Sequence, residues 1–183
     1  MIKYNKCFKK DIINAFLDNK IIIMLTDTVY GIMAIANMEN EKRINKLKRS
    51  NINKKISVIF PNKEYLYNYL DIDIDKKKII DEKLPGKYTF IVNLNNFSDF
   101  DRSDFGVRIT GNKYLQNVLE FVGPVLATSC NISGEEICNN INDIIKVFGD
   151  EDIVLVIDKE ASNVASTIID VRNKIKIIRN WLF

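Results

Sequence analysis

The chain has 183 residues, of which 46% are hydrophobic and 28% are charged, and this excludes a disordered or fibrous protein. It contains no histidine, which excludes Ser-His-Asp and Cys-His triads, histidine-based zinc proteases and any histidine general base. The 27 basic and 24 acidic residues give a net charge of +3, which suits a small anionic ligand or a transient RNA contact but requires neither. The length predicts one domain over residues 1–183.

Cysteine spacing and hydropathy indicate the compartment. Cys7, Cys130 and Cys138 are far apart and form no CxxC pair, which argues against a zinc site and a secreted disulfide scaffold. The N-terminus lacks the apolar core of a signal peptide, and no apolar run approaches the roughly 20 residues that span a bilayer. We therefore expect a cytoplasmic protein that does not contact membranes.

Hydrophobic periodicity predicts alternating helices and strands in the first half of the chain. In order, these are a helix at 8–19, a strand at 21–25, a basic helix at 39–49, a strand at 56–60 and two helical pieces within 62–83 that break around Asp71–Asp73. The run at 21–25 is apolar throughout, which is typical of a strand covered on both faces.

The second half continues the alternation without a strict βαβ rhythm. Its predicted elements are strands at 88–94 and 106–109, a helix at 113–122, a strand at 125–128, a helix at 140–148, and strands near 153–157, 166–171 and 175–179. This order predicts a single α/β domain with a twisted, open, mixed sheet.

Three common phosphate or cation motifs are absent from the sequence. Gly86-Lys87 resembles the end of a P-loop, but Asp81 stands where its first glycine is required and Tyr88 where it needs Ser or Thr. The sequence contains neither a GxGxxG fingerprint nor an EF-hand loop.

Two polar segments follow predicted strands. Residues 26–31 read Thr-Asp-Thr-Val-Tyr-Gly, and residues 129–134 read Ser-Cys-Asn-Ile-Ser-Gly. Hydroxyl and amide groups at the carboxyl end of a strand suit a polar or anionic ligand. The alternatives are a β-turn that satisfies its own backbone at 26–31 and a helix N-cap loop at 129–134. Cys130 is interpreted as a small packing residue, because no histidine is available to activate it.

A basic cluster and several scattered residues complete the candidates. The cluster, which could bind phosphates or simply form a solvated helix face, contains Arg43, Lys46, Lys48, Arg49, Lys54 and Lys55. The scattered residues are Pro85-Gly86 with Thr89, Arg108, Ser166-Thr167 and Arg179.

Taken together and in order, these segments resemble the YrdC-like family from about residue 10 to residue 180. Residues 26–31 and 128–134 are the most specific signatures. The family's characterised members are L-threonylcarbamoyladenylate synthases, nucleotidyltransferases that join L-threonine, bicarbonate and ATP into threonylcarbamoyl-AMP and release pyrophosphate. The product supplies the N6-threonylcarbamoyladenosine modification of tRNA. The resemblance also implies a YrdC-like fold with a deep basic cavity.

The resemblance assigns roles by motif position. It implies catalytic roles for Lys48, Arg49 and Ser129. It implies contacts with threonine or bicarbonate for Thr26, Thr28, Tyr30, Arg108 and Thr128. It implies nucleotide contacts for Lys48, Ser129, Asn131, Ser133, Ser166 and Arg179. ATP enters as a substrate with Mg²⁺ held through phosphate oxygens and water, so no protein metal ligands are expected. A transient contact with tRNA or another tRNA-modification enzyme is compatible with this role.

The chain departs from the family pattern at several motif positions. Leu25 replaces a proline, Asp27 a glutamate and Cys130 an alanine, and Lys87 stands where the family has the second proline of Pro-Gly-Pro. The family's Lys-x-Arg pair reads Lys48-Arg49-Ser50, so either Arg49 supplies the second charge through a one-residue slip or that charge is lost.

Two other functions remain open from the sequence. The altered Lys-Arg-Ser and the basic cluster are compatible with a non-catalytic RNA- or nucleotide-binding paralogue of the same fold. A related carbamoyl-adenylate chemistry occurs in family domains fused to hydrogenase-maturation proteins, and we expect it less here because the sequence shows no zinc-finger or acylphosphatase segment.

Overall fold

The computed structural model describes residues 1–70, 72–158, 161 and 164–180. Ten strands and six helices lie within these residues. In chain order they are β1 (Ile2–Asn5), α1 (Lys9–Leu17), β2 (Ile21–Leu25), β3 (Tyr30–Ile35), α2 (Met38–Leu47), β4 (Ser57–Ile59), α3 (Lys63–Tyr67), α4 (Ile74–Lys83), β5 (Tyr88–Asn93), β6 (Asp104–Arg108), α5 (Lys113–Val122), β7 (Val125–Ser129), α6 (Ile141–Phe148), β8 (Ile153–Ile157), β9 (Thr167–Asp170) and β10 (Lys176–Arg179).

Short polar side chains begin five of these helices. The capping side chains of α2 to α6 each accept a backbone N–H three residues further on, and they are Asn37, Asn62, Asp73, Asn112 and Asn140. Such caps satisfy one of the backbone donors that a helix leaves unpaired at its start. The chain's asparagines therefore have a structural use at helix starts.

All the described strands form one mixed sheet in the order β1-β8-β2-β3-β7-β4-β6-β5-β9-β10. β8 is parallel to both β1 and β2, and β4/β6 and β5/β9 are also parallel pairs. The β2–β3 hairpin, β7 and the β5/β6 pair supply antiparallel neighbours. The prediction of a mixed α/β sheet is confirmed.

The two faces of the sheet carry two separate hydrophobic cores. In β2, Ile21, Ile23 and Leu25 belong to one core, whereas Ile22 and Met24 belong to the other. Side chains alternate between the faces of a strand, so a strand covered on both sides is apolar throughout, as expected for 21–25. Helices α1 and α5 pack on each other over the second face, and they cover only part of it.

The sequence prediction missed two strands. β1 is largely exposed and pairs only with β8, so its sequence, Ile-Lys-Tyr-Asn, lacks a hydrophobic signal. β3 begins inside the polar motif at 26–31, which conceals the apolar run that follows. The predicted break within 62–83 is confirmed because Asp73 caps α4, while Asp71 lies outside the described residues. Within the part of the chain that the structure describes, no helix has the length and apolarity needed to cross a bilayer.

Candidate active site

A cavity of about 260 Å³ lies over the sheet face that α1 and α5 leave uncovered. Its floor follows from the strand register. Ser57 of β4 pairs with Ala127 of β7, and Thr89 of β5 pairs with Ile168 of β9, and all four residues line the cavity. Cross-strand partners share a face, so the cavity extends across the strands β7, β4, β6, β5 and β9.

The turn between β2 and β3 forms one wall. Thr26 Oγ1 donates to the carbonyl oxygen of Val29 at 2.7 Å and accepts the Thr28 N–H at 3.1 Å. Thr26 Oγ1 also lies 2.9 Å from Thr28 Oγ1. Because the single Thr26 hydroxyl proton points to Val29, Thr28 is the donor in this hydroxyl pair. The turn therefore satisfies its own backbone and lines the cavity at once.

Arg108, at the end of β6, binds this turn from below. Its Nη1 donates to Thr28 Oγ1 at 3.1 Å, its Nη2 to Asp27 Oδ1 at 2.5 Å, and its Nε to the Gly86 carbonyl at 3.2 Å. The side chain is only 8% exposed, so the guanidinium is fixed in one orientation on the cavity floor. Burial lowers the pKa of Arg108, and the adjacent Asp27 carboxylate opposes that shift. The guanidinium remains charged because its normal pKa is so high.

Asp27 has a second donor that holds it in place. Its Oδ1 also accepts the Thr110 hydroxyl at 2.6 Å. A Cβ at Gly111 would lie 3.0 Å from Asp27 Oδ2, so the carboxylate is closely packed on that side. Thr110 thus belongs to the support of the site, although the sequence contains no motif that indicates it.

The opposite wall comes from the segment before β9 and from β10. Ser166 Oγ lies 2.8 Å from Thr89 Oγ1, and both hydroxyls are buried. Arg179 donates from Nε and Nη2 to the Ser166 carbonyl at 3.2 and 2.9 Å. Burial lowers the pKa of Arg179. This wall therefore adds hydroxyl groups and a second guanidinium to the cavity.

Lys48 lies behind the cavity wall, where it binds the loop that follows β7. Its Nζ donates to the Ser129 carbonyl at 2.5 Å, the Asn131 carbonyl at 2.7 Å and Asn131 Oδ1 at 2.9 Å. The residue is 3% exposed, and burial lowers its pKa to about 8. Its ammonium thus holds the loop that presents Ser129 to the cavity.

The loop at 129–134 is further fixed by its own side chains. Asn131 Oδ1 also accepts the Ser129 hydroxyl at 2.7 Å, and Asn131 Nδ2 donates to the Glu135 carbonyl at 2.8 Å. The Ser133 N–H donates to the Lys48 carbonyl, and Lys54 Nζ donates to Ser133 Oγ at 3.2 Å. These contacts connect the loop to the segment after α2.

The structure separates Arg49 from Lys55, its neighbour in the basic cluster. Arg49 is exposed, has a φ of +52°, and is not among the residues that line the cavity. Lys55 lines the cavity, and its Nζ lies 2.6 Å from Asp104 Oδ2. The cationic residue that this segment contributes to the cavity is Lys55.

The structure brings together some of the predicted site residues. Those that line the cavity are Thr26, Thr28, Arg108, Thr128, Ser129, Ser166 and Arg179. Those placed in the core, in the supporting loop or at the surface are Tyr30, Lys48, Arg49, Asn131 and Ser133. Ser57 was not predicted as a site residue. It directly follows the change from polar to apolar residues at the start of β4, and this change is too weak a signal to identify a site residue.

Tyr30 illustrates the difference between a motif position and a cavity position. It is fully buried in the core beneath the cavity, where its hydroxyl accepts a hydrogen bond from the Asp158 backbone, and burial raises its pKa to about 12.

We expect Tyr30→Phe to lower the free energy of unfolding by about 1 kcal/mol, the usual net value of one hydrogen bond. Chemical denaturation measures this loss. The Kd of L-threonine, the ligand that the resemblance implies, should not change when it is measured by calorimetry, and a tenfold weaker Kd would place the phenol at the ligand.

The described residues offer no ready-made metal site. No group of three His, Cys, Asp or Glu residues lies close enough to hold an ion within the described part of the chain. Among the described cavity-lining residues there is no carboxylate, and the charged groups are Lys55, Arg108 and Arg179. This donor set fits anions and does not fit a resident Mg²⁺, which needs oxygen ligands.

Fold and cavity together define an α/β protein whose hydroxyl-lined, cationic cavity suits a small anionic ligand. The chain belongs to the Sua5/YciO/YrdC family, whose model, described as "Telomere recombination", matches residues 14–180. The resemblance to YrdC-like proteins is thereby confirmed.

Two curated relatives agree with this membership. A Methanocaldococcus jannaschii protein, provisionally assigned as a threonylcarbamoyl-AMP synthase, is 36% identical over 171 residues, which is 90% of this chain and 79% of that protein. The threonylcarbamoyl-AMP synthase of Buchnera aphidicola subsp. Schizaphis graminum is 29% identical over 161 residues, covering 82% of this chain and 81% of that one.

Two solved structures have the same fold. E. coli YciO superposes with a TM-score of 0.87 at 18% identity, over 99% of this chain and 94% of YciO. P. abyssi Sua5 complexed with L-threonine superposes with a TM-score of 0.87 at 19% identity, over 97% of this chain. This chain spans 56% of the length of that Sua5 chain.

Proposed function

We propose that this protein is a threonylcarbamoyl-AMP synthase, a nucleotidyltransferase that uses L-threonine, bicarbonate and ATP. The observation that carries the proposal is a cavity whose floor holds Arg108, fixed by Thr28 and Asp27, and whose walls hold Ser129, Ser166 and Arg179. Two relatives named for this activity and a Sua5 structure that holds L-threonine support it.

The proposed reaction has two bond-forming steps. The threonine amine adds to the bicarbonate carbon, and loss of water leaves a carbamate. A carbamate oxygen then attacks the α-phosphorus of ATP, and pyrophosphate leaves. The products are threonylcarbamoyl-AMP, pyrophosphate and water.

The residues of the cavity would act by positioning and charge stabilisation. Arg108, fixed by Asp27 and Thr28, would hold a carboxylate with its planar guanidinium. The hydroxyls of Ser129 and Ser166, with Arg179, would bind the anionic reaction centre between the two walls. Neither Arg108 nor the group formed by Ser129, Ser166 and Arg179 depends on histidine, which agrees with the absence of histidine from the sequence.

Mg²⁺ would arrive with ATP and would be held by phosphate oxygens and water, because the cavity offers no described carboxylate for it. The product would supply threonylcarbamoyl groups for modification of tRNA. For that role we propose a cytoplasmic location, and the described Cys7, Cys130 and Cys138 are free thiols that suit a reducing compartment.

Product analysis tests the proposal. Purified protein is incubated with MgATP, L-threonine and ¹³C-bicarbonate, and the product is identified by mass spectrometry. We expect labelled threonylcarbamoyl-AMP, and pyrophosphate release that requires all three substrates. Absence of any threonine-dependent product contradicts the proposal.

A second candidate is RNA or nucleotide binding without adenylate formation. The observation that favours it is the exposed basic side of α2 and its C-terminus, where Lys42, Lys46 and Arg49 are all solvent-accessible. Such a module would bind tRNA with an affinity that falls steeply with salt and would release no pyrophosphate. An active enzyme that also contacts tRNA would show both properties.

A further inference from the structure

The proposed adenylation needs a cation beside the phosphates, and the segment that follows α2 has several. Lys48 is not available for this purpose, because three oxygens of Ser129 and Asn131 surround its Nζ. Arg49 is exposed and does not line the cavity. The cation that this segment brings to the cavity is Lys55.

Exposure places Lys55 at the mouth of the cavity. Its side chain is 58% exposed, whereas that of Arg108 on the floor is 8% exposed. The cavity volume of about 260 Å³ is below the roughly 300 Å³ at which pockets for drug-sized ligands begin. A nucleoside triphosphate with its α-phosphorus inside must therefore extend to the mouth, where Lys55 lies.

Asp104, the ion-pair partner of Lys55, would still have its negative charge compensated if Lys55 moved away. Asp104 Oδ2 lies 2.6 Å from Lys55 Nζ and 3.6 Å from Arg172 Nη1. Arg172 is held in turn by Asp170 at 2.7 Å. If Lys55 leaves, Asp104 keeps a cation beside it. An exposed ion pair of this kind is weak, so a multiply charged phosphate group can compete with it.

We propose that Lys55 is the phosphate-binding cation at the cavity mouth, and that it exchanges the Asp104 carboxylate for the β- and γ-phosphates when ATP enters. The inference rests on the proposed function and adds to it a residue that binds the nucleotide but not the amino acid. A flexible lysine is suited to such an exchange, because its charge sits on a long stem with three rotatable donors.

The test compares the affinities of the two substrates by calorimetry with MgATP and with L-threonine. For Lys55→Ala and Lys55→Gln we expect the Kd of MgATP to rise about tenfold or more, as for loss of a charge-assisted contact, with the Kd of L-threonine unchanged. Lys55→Arg should keep most of the affinity. Lys42→Ala is the matched control, since it removes an exposed lysine of α2 that does not line the cavity.

Asp104→Asn tests the exchange itself. Removing the competing carboxylate should tighten MgATP binding, and weaker binding would contradict the exchange. Because Lys55 and Asp104 are at the surface, thermal unfolding should show intact folds for these variants. An unchanged Kd of MgATP in Lys55→Ala, or an equal loss in Lys42→Ala, overturns the inference.

The two proposals fail in different ways. A wild-type protein that forms threonylcarbamoyl-AMP while Lys55→Ala binds MgATP normally refutes the role of Lys55 alone. A wild-type protein that binds MgATP through Lys55 but forms no product refutes the synthase. Wild-type protein that does not bind MgATP refutes both.

Discussion

Arg108→Lys is expected to lower the rate of threonylcarbamoyl-AMP formation about a hundredfold, the usual loss when one preorganised charged donor is removed from an active site. The guanidinium is planar and donates at once to Asp27, Thr28 and the Gly86 carbonyl. A lysine keeps the charge but cannot reproduce this fork, so it cannot hold both the turn and a bound carboxylate. Steady-state kinetics with L-threonine varied should show a raised KM together with a lowered kcat.

The lysine substitution is chosen so that folding survives. Arg108→Ala would leave the Asp27 carboxylate largely buried beside a single hydroxyl, and removing one partner of a buried ion pair costs about 3–5 kcal/mol. Arg102→Lys is the control. Arg102 forms a two-armed contact with Glu41 at 2.6 Å for each bond, away from the cavity. It should lose stability but keep its rate, and an equal loss of rate in both variants would refute a specific role for Arg108.

Elements with a clear hydrophobic pattern could be predicted from the sequence, because their buried and exposed side chains occupy regular positions. The predicted 113–122 and 153–157 match α5 and β8 residue for residue, since apolar spacing and the Asn112 cap define α5 and a continuous apolar run defines β8. Edge strands lack this regular separation of buried and exposed side chains. In β10, Ile177 and Ile178 are both half-exposed, so its prediction depended on β-branched composition rather than alternation.

From the sequence, site residues could be predicted only where polar groups follow the end of a strand. Thr28 and Ser129 both line one cavity, as expected for polar residues at the ends of β2 and β7. The direction of the Lys48 side chain was not predictable, because the oxygens that bind it lie 81 and 83 residues further along the chain. Local spacing carries no information about such long-range partners, and for the same reason it could not single out Lys55 within the basic cluster.

Lys48→Ala is expected to lower turnover at least tenfold while the fold survives. The lost ammonium no longer holds the Ser129 and Asn131 carbonyls, so the loop that forms one cavity wall is free to shift, and small displacements of reacting groups are costly. The fold should persist because burying the ammonium is itself unfavourable, and its removal offsets part of the lost bonding. Lys48→Met, which keeps the apolar stem, should lose turnover to a similar degree. Circular dichroism checks the fold, and an unchanged rate would show that the ammonium does not position the loop.

The pH dependence of the wild-type enzyme separates this positioning role from simple packing. Burial lowers the pKa of Lys48 from 10.5 to about 8. Above that pH the neutral amine donates weaker hydrogen bonds, so kcat should fall with an apparent pKa of about 8, and Lys48→Met should lack this decline. The effect of the Lys48 titration on folding stability has the opposite sign. Between pH 8 and 10.5 the unfolded chain binds the proton more tightly than the folded one, so this titration makes folding more favourable as the pH rises. A decline in rate without a decline in thermal stability therefore identifies the Lys48 ammonium as the group that holds the loop, and a flat profile through pH 8 refutes it.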